Sequence, residues 1–143
     1  MVLSPYSVVS FSHMIYPSVS IESKAYWTGL TNGELLLQEC TDCGTIRHYP
    51  RPMCYNCYSL GHRWIKASGD ALVYAWTECH HAFHPSFAEL TPYTLVTATL
   101  KEGPRLMAPL AQPPKRDLYL GMKLKIEFNQ VSSDLTLPIF KAT

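Results

Sequence analysis

Four of the five cysteines fall in one stretch as two pairs, Cys40-Thr-Asp-Cys43 and Cys54-Tyr-Asn-Cys57, with ten residues between the pairs. A C-x-x-C turn lets both thiolates point at one ion. Two such turns face to face supply a tetrahedron of sulfur, the arrangement of a closed structural Zn²⁺ site. Gly44 follows the first pair and can take the positive φ that closes the turn. Tyr58 stands at the matching place after the second pair, where a glycine would be easiest. With Cys40, Cys43, Cys54 and Cys57 as ligands no coordination position stays open, so one structural rather than catalytic zinc is predicted. Three other chemistries use the same residues. Two disulfides would require an oxidising compartment, and the first residues lack the basic stretch and apolar core of a secretory signal. A redox pair would need only one C-x-x-C, at the start of a helix. Iron also accepts tetrahedral sulfur.

Other reactive side chains are sparser. From Cys40 to Lys66 four basic residues (Arg47, Arg51, Arg63, Lys66) stand against one acid, Asp42. Such a surface either covers a small domain with solvated charge or meets phosphates, which guanidinium forks bind in pairs. Arg47, Arg51 and Lys66 are the candidates for the phosphates of coenzyme A. His80, His81 and His84 cluster later, beside Phe83, Pro85, Phe87 and Tyr93. A second metal or a catalytic histidine is conceivable there, but the composition suits an apolar interface better, with Phe83, His84 and Phe87 as candidate contacts. Cys79 next to His80 does not make a thiol–imidazole pair, because adjacent strand residues project to opposite sides. No G-x-S-x-G, P-loop or G-x-G-x-x-G motif occurs, so no catalytic residue is assigned.

The elements that must position these residues are short. Residues 1–22 read as an N-terminal arm, poor in charge, with Met14 a second possible translation start. Residues 23–67 read as a helix plus ribbon. The helix runs Ser23 to Leu30 and ends at Gly29 or Gly33. A strand over Leu35 to Glu39 leads into the first cysteine pair, and Ile46 to Tyr49 returns. Pro50 and Pro52 hold an extended approach to the second pair, and Trp64 to Lys66 closes the ribbon. Residues 68–143 read as a β module. Its strands are predicted over Ala71 to Cys79, Tyr93 to Lys101, Arg105 to Ala111, Gly121 to Phe128 and Leu135 to Phe140. A Pro-rich loop covers Gln112 to Lys115. Met122, Leu124, Ile126 and Phe128 alternate with charges and are expected to point inward. Five short strands fit a small closed barrel, with an OB-fold the natural candidate.

The bulk properties set limits. The chain has 143 residues, 47% hydrophobic and 16% charged, enough for a packed core and against disorder. A formal net charge of +1 is far from that of a dedicated nucleic-acid binder. No apolar run approaches the roughly 20 residues that span a bilayer, and a cytoplasmic setting keeps the thiols reduced.

At this point the chain resembles a known family, former domain-of-unknown-function proteins associated with acyl-CoA enzymes. The resemblance covers about residues 25–141. It is carried by Trp27 and Gly33-x-Leu35-Leu36-Leu37-Gln38-x-Cys40-x-x-Cys43-Gly44, then by Pro50-Arg51-Pro52-x-Cys54-x-x-Cys57 and Ser68-Gly69-x-Ala71-x-Val73-Tyr74-x-Trp76. It continues through His84-Pro85-x-Phe87, Pro92-Tyr93, Glu102-Gly103-Pro104-Arg105 and Gly121-Met122-x-Leu124. Departures are the missing Pro-x-Cys-Gly form at the second turn and the long arm before Ser20. The resemblance implies a mostly β fold: an N-terminal short helix, a rubredoxin-like zinc ribbon and a C-terminal five-stranded OB-fold barrel. It implies a non-catalytic accessory subunit that docks on a thiolase-fold enzyme (acyltransferase, thiolase or aldolase) or accompanies a hydratase, and helps shape the acyl-CoA channel. The alternative is a nucleic-acid-binding module, since zinc ribbons and OB-folds both bind strands through aromatic platforms and basic grooves.

Overall fold

The computed structural model describes residues 15–111 and 117–143. The first fourteen residues of the predicted arm, and the Pro-rich loop, lie outside the described residues. Helix α1 spans Lys24–Thr31 and buries Tyr26, Gly29 and Leu30. Its end is set by Gly33 at φ 74°, a left-handed turn that favours glycine, with the Gly33 amide bonded to the Leu30 carbonyl at 3.0 Å. Gly29 is required for a different reason. A Cβ there would sit 2.8 Å from Leu36 Cγ and 2.9 Å from the Glu34 carbonyl oxygen, so the helix lies directly on the strand that follows.

That strand, β1 (Leu36–Cys40), is the centre of a three-stranded antiparallel sheet, flanked by β2 (Ile46–Arg47) and β3 (His62–Lys66). The return strand was expected to reach Tyr49 but stops at Arg47. Pro50 and Pro52 lack amide donors, and proline disfavours a regular strand in the middle of a ladder.

The second sheet holds β4 (Asp70–Cys79), β5 (Tyr93–Leu100), β6 (Arg105–Pro109), β7 (Lys123–Gln130) and β8 (Thr136–Ala142) in the order β6-β5-β4-β7-β8. The closed barrel expected from five strands is not formed. Among the described residues β6 and β8 meet only at an isolated parallel bridge, Leu110 to Phe140. Strand β6 ends at Pro109, which has no N–H to continue a ladder. The inward alternation of β7 holds for Met122, Leu124 and Ile126 and fails at Phe128, which is exposed. Strand β4 pairs with β7 only opposite Lys123–Lys125, so the end of β7 runs past the core with β8 alone beside it.

Strand β4 likewise outruns the core. A bulge at Tyr74 shifts its register against β5, and residues 74–78 are exposed on both faces. One apolar cluster runs through both sheets. It joins Tyr26, Leu30, Leu35 and Leu37 to Val96, Leu100, Leu106, Leu124 and Phe140. No helix among the described residues is long and apolar enough to cross a membrane.

Candidate metal centre and the groove beside it

The two C-x-x-C turns are built alike. In the first, the Gly44 amide donates to the Cys40 carbonyl at 3.0 Å and the Cys40 amide to Thr45 at 2.9 Å. In the second, Tyr58 donates to Cys54 at 2.9 Å and Cys54 to Ser59 at 2.8 Å. Tyr58 takes φ 62° where Gly44 takes φ 70°, so the second turn has the glycine-like shape without the glycine. Cys40 and Cys54 are buried, while Cys43 and Cys57 reach the surface.

The four sulfurs lie within 4.8 Å of one another, with Cys40–Cys57 at 3.6 Å and Cys43–Cys54 at 3.7 Å. A tetrahedron with Zn–S bonds of about 2.3 Å has edges of about 3.8 Å, so these thiols match the ion without rearrangement. Their protons are unevenly held. The Thr45 hydroxyl and amide pull the Cys43 thiol down to about 6. At Cys57 the Ser59 amide acts to lower the pKa, but the Cys43 thiol, burial and the other two thiols outweigh it and push it up to about 12. A divalent ion replaces shared protons outright. The centre is therefore a one-zinc, four-cysteinate structural site, as the spacing predicted. Asn56 supports it by donating to Cys43 Sγ at 3.7 Å and Thr45 Oγ1 at 3.2 Å.

The three candidate phosphate-binding cations are not equivalent. Arg47 is 2% exposed, with Nε donating to Gln38 Oε1 at 2.9 Å and Nη2 to the Arg51 carbonyl at 3.3 Å. Arg51 is exposed, and its amide donates to the same Gln38 oxygen at 3.0 Å. Lys66 lies on β3, paired with Glu34 at 2.9 Å. Gln38 thus ties Arg47 and Arg51 together, and Lys66 stands apart from them. Phe83, His84 and Phe87 sit in the β4–β5 connection. Phe83 is 87% exposed. His84 Nδ1 caps a 3-10 helix (Pro85–Leu90) by accepting from the Ser86 amide at 3.2 Å, and Phe87 packs on Tyr93. His80 lies 3.6 Å from Glu78, and the three histidines do not converge as ligands. Among the described residues, the four cysteines form the only metal-holding group.

Beside the metal turns a groove of about 480 Å³ opens between β2 and the β5–β6 turn. Arg47, His48 and Tyr55 line one wall, and Glu102 and Arg105 the other. The sequence suggested His48 only as an additional donor beside the basic residues and gave Glu102 no role. The available signal was Gln38, a polar residue inside a buried leucine run.

The model of the ChsH2 rubredoxin-like zinc ribbon domain matches residues 27–63, and that of the ChsH2 C-terminal OB-fold domain matches residues 64–129. A probable enoyl-CoA hydratase alpha subunit of Thermomonospora curvata is 30% identical over 125 residues, 87% of this chain. The 3-oxo-4,17-pregnadiene-20-carboxyl-CoA hydratase alpha subunit of Mycobacterium tuberculosis is 28% identical over 116 residues, 80% of this chain. This chain spans only 39% and 36% of those two proteins. A solved chain described as Ltp2-ChsH2(DUF35) aldolase superposes with a TM-score of 0.79 at 29% identity, covering 89% of this chain and 98% of that one. A DUF35 protein of unknown function from Sulfolobus solfataricus, at TM-score 0.62 and 16% identity over 90% of each chain, shares the fold.

Proposed function

This chain belongs to the ChsH2 zinc-ribbon and OB-fold family, and from that membership we propose that it is a non-catalytic companion subunit of an acyl-CoA enzyme. The observation that carries the reading is the match to the Ltp2-ChsH2(DUF35) aldolase chain over 98% of that chain, a protein described by two components. The closed four-sulfur site agrees with it, since such a metal holds a platform together and leaves no position for substrate. In this reading the catalytic subunit has a thiolase fold, and the complex is cytoplasmic. The exposed aromatic connection with Phe83, His84 and Phe87 meets that subunit. Arg51 faces the phosphates of the acyl-CoA at the shared channel, while Arg47, buried beneath, holds the Arg51 segment in place, and Lys66 is occupied by Glu34. The names of the two hydratase relatives, both acting on CoA thioesters, support a CoA ester as ligand. Nucleic acid finds less support. Arg63, Lys66, Lys125 and Lys141 are each paired with a carboxylate, and Arg105 stacks 3.4 Å over the Tyr74 ring.

Co-expression with thiolase-fold and hydratase-fold candidate chains tests the proposal. A stable co-purifying complex is expected with a thiolase-fold chain. Elution of the zinc-loaded chain alone in every pairing rejects the companion role, and a complex with the hydratase-fold chain only rejects the thiolase assignment. Within the complex, Arg51→Ala is expected to weaken CoA-ester binding about tenfold, the scale of one charge-assisted contact. Unchanged affinity removes the phosphate role.

A further inference from the structure

The groove between β2 and the β5–β6 turn holds polar atoms that the chain itself does not satisfy. Arg47 is 2% exposed, yet its Nη1 finds no partner within the chain. Glu102 Oε1 accepts from the Ser68 amide at 2.6 Å, while its buried Oε2 finds none. Both ring nitrogens of His48 are buried and unpaired, and burial pushes the ring down to about 4, so it stays neutral with one donor and one acceptor. All three residues line the same groove. Each unmatched buried group destabilises the fold unless something enters to pair with it.

The demand is balanced. Arg47 and one His48 nitrogen require acceptors, and Glu102 and the other His48 nitrogen require donors. At the unpaired atoms the Arg47 guanidinium and the Glu102 carboxylate cancel in charge, and Arg105, the second cation on the wall, is stacked over Tyr74. A phosphate would satisfy Arg47 but would be repelled by Glu102 and leave that acceptor unmatched. A neutral group carrying N–H and C=O together meets both. The backbone on either side narrows the choice further. Among the described residues β2 has β1 on one side and no strand on the other, and β6 ends its own sheet, bridged to β8 only beyond its last residue, at Leu110–Phe140. Their residues Ile46 and Arg105 both line the groove. Free sheet edges are templates for an added strand. Tyr49 and Tyr55, 55% and 58% exposed, offer contact area for side chains pointing off such a strand.

We propose that this groove receives an extended polypeptide segment of the partner subunit, gripped through its main-chain amides by Arg47, Glu102 and the β2 edge. The proposal deepens the companion reading and rests on it for the source of the segment. Its test needs no partner, so the two can fail separately.

The ¹⁵N-labelled, zinc-loaded full chain is titrated with a capped uncharged peptide, acetyl-Thr-Val-Thr-Val-Thr-amide, and followed by NMR. Saturable shifts confined to residues 44–48 and 102–105 are expected. The same peptide N-methylated at alternate residues is expected to bind about tenfold more weakly for each donor lost, as is Glu102→Ala with native zinc content. Arg47→Lys gives an independent reading should Glu102→Ala disturb its turn. Absence of saturable shifts, equal binding of the N-methylated peptide, or shifts produced by pantetheine or inorganic phosphate in place of the peptide would each overturn the proposal.

Discussion

The ribbon sheet contains a strand of two residues, whereas the strands of the second sheet run from five to ten. Between residues 41 and 63 only Arg47 and Cys54 are buried, while β4 to β8 and their turns place Ala71, Val73, Val96, Leu100, Leu106, Leu124 and Phe140 inside. Residues 41–63 have no apolar core of their own, and four metal–sulfur bonds stand in its place. The five-stranded sheet is held by apolar burial. Two regions of one chain thus reach order by different chemistry, and each is expected to fail under a different insult.

Metal removal is the largest separation of the two. Cys54→Ser, or chelation, is expected to abolish zinc binding and unfold residues 41–63, since ion binding in such sites supplies on the order of 10 kcal/mol. Hydrogen exchange is expected to rise there while the amides of β4 and β5 stay protected; simultaneous loss of both would refute the division. The converse variant is Phe140→Ala. Its side chain is fully buried, and a loss of about 3–5 kcal/mol in denaturant unfolding is expected with zinc stoichiometry unchanged.

A smaller effect separates the regions by pH. His48 is held at about 4 against an ordinary 6.5 because burial disfavours its charge. Above pH 6.5 both folded and unfolded chains are neutral there, and stability is whole. As pH falls from 6.5 toward 4 the unfolded chain takes the proton first, and stability is lost. A loss of about 2 kcal/mol between pH 7 and pH 5 is expected in excess zinc, and His48→Phe should flatten it. The smallest change concerns Arg63, whose Nε lies 2.9 Å from Glu39 and whose side chain is 67% exposed. Arg63→Ala is expected to leave the denaturant midpoint nearly unchanged, and any difference is expected to vanish in high salt.

The metal centre was legible because covalent spacing fixes it: two residues between thiols permit few geometries. The strand positions were legible from alternation and turn residues such as Gly103 and Gly121. Closure of the barrel was not, because it depends on whether β6 and β8 find register across space, and Pro109 acts there through a missing hydrogen bond. Phe128 was misassigned because period two says which side a residue faces, not where the core ends. Arg47 read as a surface charge because nothing local shows that Gln38, nine residues earlier, draws it inward.

Tyr58 holds a left-handed backbone that costs a side-chain-bearing residue about 1–2 kcal/mol, whereas Gly44 adopts the same turn freely. Both knuckles close on the ion, but the second carries backbone strain that the first does not. Loss of the ion is therefore expected to loosen the second knuckle first, with amide exchange rising at residues 54–59 before it rises at residues 40–45.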